Sequence, residues 1–421
     1  MNMSSSSDDD LRFRIKRIVY GTPIVDIHTH LFPSSFRDLF LYGIEDLLTY
    51  HYLIEDFFCK RRDMKPEEFF RLDKKVQAKL VWDTLFVDNI PLSEACRGVI
   101  TVLEILKLDG KEYEEIKEFF DKQKEHLGYY TALICALTKI SHIFMTNDPF
   151  NEEENYFWNK GAELNYRFQP TLRLDALLDP SGSRLKEINS ITGGFVKEDY
   201  VSIESPILID RIIKYLDTYA LYRDPKYIML SLPYNIATNE YSNKVLKTLI
   251  LPYARKRRLP IFLKLGTDRQ VNPDFKLAGD SLGDVDMTWL RDICQNNLDI
   301  RFAVTVLSMN NQHALAVMCK KFPNLYIYGC WWYCNTPSQI ESITKMRMEL
   351  LGNSFTFQHS DARVMEHLIY KWEHSKEILV NILHEKYQDL EIKGFTIKDS
   401  MIKKDVRNLF GHDLLDFIEG K

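Results

Sequence analysis

His28 and His30 stand two residues apart in IVDIHTHLF, and on an extended strand that spacing turns both imidazoles to one face. Neutral imidazole nitrogen is a good ligand for zinc and related divalent metals. A carboxylate such as Asp361, in the string HSDAR, could complete a three-ligand site with coordination positions left open. Eleven histidines in 421 residues will sometimes fall two apart by chance, and the competing reading of either ring is a core imidazole bonded to backbone. Position favours the metal. The histidine pair ends one expected strand, just after Asp26, and the acid ends another.

Other residues are suited to a hydroxylated anion and to proton transfer. Arg173 and Arg363 are expected beside the same face, where a guanidinium fork matches a carboxylate or vicinal hydroxyls; the alternative for each is a structural pair with an acid. Tyr52 follows His51 in TYHYL, and its phenol can shuttle a proton only if a cation or hydrogen bonds bring its pKa down, as a metal and Arg363 could do. With 22 tyrosines in the chain, an ordinary helix tyrosine is the competing reading. Trp331 and Trp332 could wall a sugar pocket or serve as plain packing residues.

These residues need a scaffold that gathers strand ends. Eight short β-branched or aromatic runs read as buried parallel strands: Ile24 to His28, Ser141 to Thr146, Phe168 to Leu174, Tyr227 to Leu232, Ile261 to Leu265, Ile300 to Leu307, Leu325 to Gly329 and Phe355 to His359. Helical periodicity separates most of them, as in RIIKYLDTYALY and QHALAVMCKKF. Eight strand–helix repeats predict a (β/α)8 barrel of the TIM type, with its site at the C-terminal ends of the strands. The interval from ~40 to 138 breaks the rhythm and reads as a helical insertion over one mouth of the barrel. Residues 1–10 (MNMSSSSDDD) read as a disordered tail, leaving 11–421 as a single domain.

Composition narrows the task. Lys plus Arg is 55 and Asp plus Glu is 60, a net charge of −5, so no cationic excess is present to hold a phosphate backbone and nucleic-acid binding is disfavoured. The seven cysteines are scattered without C-x-x-C pairs, which argues against a disulfide framework and for a reducing compartment. No run approaches the ~20 apolar residues of a membrane span, and the N-terminus has no apolar leader core. The expectation is a soluble cytoplasmic protein acting on a small molecule.

Taken together, DIHTHLF (26–32), LLTYHYL (47–53), SEACRGV (93–99), MTNDPF (145–150), LRLD (172–175), GCWWYCN (329–335) and HSDAR (359–363) resemble the uronate isomerases, also called glucuronate isomerases, of the amidohydrolase superfamily. The match runs from about residue 20 to the C-terminus. It implies interconversion of D-glucuronate with D-fructuronate and of D-galacturonate with D-tagaturonate. Carried over by position, His28, His30 and Asp361 would hold one divalent ion, with zinc expected and manganese or iron as alternatives. Tyr52 would bond the C1 carbonyl oxygen and Arg363 the C2 and C3 hydroxyls, while the substrate carboxylate and C5 hydroxyl would fill open metal positions. His51, Arg173, Trp331 and Trp332 would line the pocket. A homo-oligomer is expected from family habit alone.

Two departures stand out. Hydrolytic relatives recruit a Lys after strand four or His after strands five and six, whereas those ends here read SLPYN and LKLGTDR, which argues against a second metal. The continuation HYLIEDFF also lacks the basic, tryptophan-containing segment of longer uronate isomerases. Two rivals share the scaffold: a mononuclear metal-dependent hydrolase of a sugar-acid lactone or amide, and a non-catalytic sugar-acid binder, which would have no need of Tyr52, Asp361 and Arg363 as a set.

Overall fold

A computed structural model describes residues 4–194, 202 and 204–421. β1 (Ile24–Asp26), β2 (Ile140–Phe144) and β3 (Phe168–Gln169) pair in parallel in that order. β4 (Leu172–Arg173) continues the run of β3 after a break at Pro170, which has no N–H to give the ladder; the Thr171 hydroxyl donates to Met145 O (2.7 Å) there instead. β4 pairs with β5 (Ile228–Pro233) and β5 with β6 (Ile261–Asp268), whose end carries the short antiparallel β7 (Ser281–Leu282). β6 then pairs with β8 (Phe302–Val306) and β8 with β9 (Leu325–Ile327).

The circuit closes through 355–359, which has only an isolated bridge, Tyr328 to Thr356, in place of a regular ladder. Gly329 N donates to Thr356 O (2.9 Å), and beyond the run Asp361 N donates to His28 O (3.2 Å) and His30 N to Ala362 O (2.7 Å). The last strand position is thereby joined to the first. The architecture is a (β/α)8 barrel, as the strand–helix rhythm predicts, with the expected strand runs in place.

Inside the barrel, side chains change character along the strands. Tyr227, Phe262 and Tyr328 fill the middle, Tyr227 stacking on Phe262 at 3.7 Å between ring centres, and Leu414 and Ile418 of the helix Asp413–Glu419 pack into the same cluster. Two residues beyond Phe262, the row in register is Ser231, Lys264 and Thr305. An aromatic floor gives way to polar groups where the strands end.

Between β1 and β2 the chain makes a run of helices from Gly43–Leu48 to Leu127–Thr138. Glu366, buried just ahead of the long helix His367–Ile392, ties this stretch down: its Oε1 accepts from Gly43 N (2.9 Å) and from the Tyr130 hydroxyl (2.6 Å). The helix Glu94–Ile105 comes so close to the long helix that a Cβ on Gly98 would lie 2.7 Å from the Tyr370 ring.

The N-terminal helix spans Ser4–Gly21, so it starts inside the stretch expected to be a disordered tail; Met1 to Met3 lie outside the described residues. Leu11, Ile15, Ile18 and Val19 bury one face at helical spacing, and Arg14 and Arg17 bond the Asp399 carboxylate. Long-range anchors carry the helix. All seven cysteines are free thiols. Among the described residues, no helix is long and apolar enough to cross a membrane.

Candidate active site

Regular pairing of β1 ends at Asp26, and the two histidines project from the segment just beyond it. Their rings lie 5.0 Å apart at 86°, and both Nε2 atoms face Asp361 Oδ1, at 3.1 Å from His28 and 3.5 Å from His30. The three ligand atoms fall within 4.8 Å of one another. Asp361 turns toward them because its backbone is left-handed (φ 52°), a strained conformation that aspartate tolerates better than most residues. Asp26 braces both sides: its carboxylate accepts from Ser360 N (3.0 Å) and from Trp372 Nε1 (2.8 Å). Burial pushes the Asp26 carboxyl up to about 6 against those hydrogen bonds.

This donor set suits a divalent ion, because two imidazoles kept neutral and one carboxylate kept ionised are what such an ion needs. Burial, and then the Lys264 ammonium, hold His28 well below the ordinary histidine range, and burial lowers His30 to about 4. For Asp361 burial alone would favour protonation. The Lys264 charge and the adjoining His28 and His30 side chains outweigh it and hold the carboxyl well below the usual range.

Lys264 is a cavity residue that reading strand ends does not find. It sits mid-strand in β6, its side chain 5% exposed, with Nζ 2.6 Å from Asp361 Oδ1, 2.9 Å from His28 Nε2 and 4.4 Å from the centre of the Trp331 ring. Burial brings it down to about 8. The available signal was a lone cation in an apolar strand, two residues after the inward-facing Phe262.

A cavity of about 690 Å³ opens over these groups at the C-terminal mouth of the barrel. His28, His30, His51, Arg173, Trp331, Trp332, Asp361 and Arg363 all line it, and so do Tyr50, Phe70 and Lys74 from the helical stretch after β1. Arg363 has one nitrogen on backbone, Nη1 donating to His30 O (2.9 Å) and Leu39 O (3.4 Å). Arg173 is half committed to structure: its Nε donates to Asp175 Oδ2 (2.8 Å). Both ring nitrogens of His51 are buried without a hydrogen-bond partner among the described residues, and burial lowers this imidazole to about 4, so it faces the cavity neutral.

Tyr52 is set back from that lining. Its ring stacks on His51 (4.4 Å, 24°), packs against the cluster of Leu307, Trp331 and Trp332, and has the Lys371 ammonium 5.0 Å from its centre. From the chain's own groups, burial, the neighbouring Tyr50 and the Asp361 carboxylate push the Tyr52 phenol well above the ordinary value. The phenol is therefore held in its protonated form. His359 packs edge-on to His28 at 5.4 Å and lies so close to Gly329 (φ 63°) that a Cβ there would sit 2.0 Å from His359 Cδ2. Only glycine fits both the conformation and the space.

No protein-family model matches the chain, and no curated protein matches it. Solved structures do. A uronate isomerase from Bacillus halodurans C-125 superposes with a TM-score of 0.92 at 36% identity, over 98% of this chain and 97% of that one. A uronate isomerase from Thermotoga maritima gives 0.75 at 15% identity over 95% of each chain. A glucuronate isomerase from Caulobacter crescentus gives 0.76 at 12% identity, over 98% of this chain and 95% of that one. The last two share the fold at low identity.

Proposed function

The chain belongs to the uronate isomerase family, and we propose from that premise that it interconverts D-glucuronate with D-fructuronate and D-galacturonate with D-tagaturonate with the help of one divalent metal ion, zinc being the expected one. The observation that carries the reading is the meeting of His28, His30 and Asp361 at the barrel mouth of a chain 36% identical to a uronate isomerase over nearly its whole length.

In this reading His28, His30 and Asp361 hold the ion, which when bound supplies a Lewis-acid anchor for the substrate's carboxylate end. The remaining work falls to the chain's own groups. Moving hydrogen from C2 to C1 through an enediol needs a base for a weakly acidic C–H, a donor to the oxyanion that develops, and a clamp on an open-chain sugar. Asp361 is the base. Its contacts with the imidazoles and Lys264 all use Oδ1, which leaves Oδ2 to take the proton. Tyr52, held protonated, donates to the C1 oxygen, and Arg363 clamps the C2 and C3 hydroxyls with the guanidinium nitrogens it does not spend on backbone. Arg173, His51 and the two tryptophans wall the open-chain substrate so that it meets these groups in one orientation.

The test is NMR of zinc-loaded protein with D-glucuronate, and in parallel D-galacturonate, in D2O. Ketose signals with loss of the C2 proton, both abolished in His28→Ala, are the expected result. Neither ketose nor exchange with either sugar would overturn the assignment.

A further inference from the structure

Neither the ligand pattern nor the proton-transfer scheme uses Lys264, yet it holds the central position of the site. Its Nζ lies 2.9 Å from His28 Nε2 and 2.6 Å from Asp361 Oδ1, two of the three atoms expected to ligate the ion. A neutral imidazole Nε2 has one lone pair. That pair can accept a hydrogen bond from an ammonium or bind a metal, but not both. A zinc ion also sits about 2.0 to 2.2 Å from its nitrogen and carboxylate ligands, which would bring it against Nζ and set two cations side by side in a buried space.

We propose that Lys264 is an internal competitor for the metal: its ammonium and the ion take His28 Nε2 and Asp361 Oδ1 in alternation, so that Lys264 sets how tightly the site holds its ion. The inference rests on the same three-ligand site as the isomerase reading. The displaced ammonium has somewhere to go. Thr305 stands beside Lys264 in register on the neighbouring β8, and its hydroxyl oxygen is buried with no hydrogen-bond partner among the described residues. Adjacent strands lie about 4.8 Å apart, within reach of a lysine side chain. The Trp331 face, 4.4 Å away, offers a second resting surface for the charge. The competitor and the acceptor that would receive it thus share one row of the barrel interior, with the contested ligand atoms within hydrogen-bond distance of Nζ.

Zinc alone is the probe, so the outcome is independent of whether the sugars react. Chelator-treated protein is titrated with Zn2+ against a chromogenic chelator for the native chain, Lys264→Met and Thr305→Val. Lys264→Met is expected to bind zinc at least about tenfold more tightly, because it leaves both ligand atoms uncontested. Thr305→Val is expected to bind it more weakly, because the displaced ammonium loses its acceptor. If Lys264→Met folds only with zinc, it is prepared zinc-loaded, and its rate of zinc loss to excess chelator is expected to be slower than that of the native chain. Unchanged affinity or release in Lys264→Met would overturn the proposal, and weaker binding would make Lys264 a supporting group or a ligand, which also overturns it.

Discussion

Replacing Glu366 by Gln should shift the stability balance in the variant's favour as pH rises from mild acid to the alkaline range. The carboxyl is fully buried between the barrel and the helical stretch after β1, where Oε1 accepts from Gly43 N and the Tyr130 hydroxyl while Oε2 has no partner among the described residues. Burial pushes it from 4.5 up to about 7, against the hydrogen bonds that favour the charged form. A folded pKa above the unfolded one means that the folded state holds the proton more tightly. The stability this contributes is fully present below the unfolded value and is lost as pH rises through the folded one. The charge on Glu366 therefore costs under about 1 kcal/mol near pH 5 and about 3 kcal/mol near pH 8, taking about 1.4 kcal/mol per pH unit. A glutamine keeps an acceptor oxygen for Gly43 and Tyr130, carries no charge at either pH, and leaves an unpaired NH2 whose cost is the same at both, so that cost cancels in the comparison. Urea denaturation followed by tryptophan fluorescence, with EDTA present to keep metal out of the balance, reads the gap between variant and native chain at the two pH values. It should widen by roughly 2 to 3 kcal/mol in favour of the variant from pH 5 to pH 8. A gap that stays flat with pH would refute the reasoning.

Tyr52→Phe should lower turnover by about a hundredfold or more while leaving zinc content and circular dichroism unchanged, since it removes the donor to the C1 oxygen and touches no ligand. Tyr50→Phe in the same assay is the control, because Tyr50 lines the cavity whereas Tyr52 stacks behind His51; a collapse in Tyr50→Phe alongside a normal Tyr52→Phe would move the acid to Tyr50. Gly329→Ala should destabilise the fold by about 2 to 4 kcal/mol, since the methyl meets His359 on a left-handed backbone. Its melting temperature measures this, and a native-like melt would show that the His359 ring can yield.

The barrel was legible because its strands are apolar runs that end in turn or polar residues, and the helical stretch after β1 because its periodicity breaks the strand–helix rhythm. His28, His30 and Asp361 could be paired because strand ends in such a barrel face one mouth, whatever their separation in the chain. Lys264 was missed for the same reason: it is not at a strand end, and only the count along β6 from Phe262 turns it inward. The N-terminal helix was invisible locally, since what orders it is contact with the helix His367–Ile392 and with Asp399, far along the chain. The state of Tyr52 was out of reach too. Spacing can suggest that a cation lowers a phenol pKa, but the balance depends on burial, and here burial and nearby negative groups win.

The charges around the cavity favour an anion undergoing proton transfer over a neutral substrate of the same shape. Arg173 is paired with Asp175, Arg269 with Asp280 and Lys264 with Asp361. Arg363, at the cavity wall, and Lys371, over the Tyr52 ring, have no carboxylate within ion-pair distance among the described residues. Each is buried enough for the loss of water to pull its pKa down, Lys371 to about 8. Holding cations in that condition costs stability unless something that visits the site offsets it. A hexuronate brings one carboxylate, and the enediol step develops a second negative charge on oxygen next to where Arg363 and Tyr52 would act. A neutral hexose would bring only the second. On the proposed roles, Arg363 would then favour the transition state more than the bound sugar, because the charge developing beside it exists only while the proton is moving.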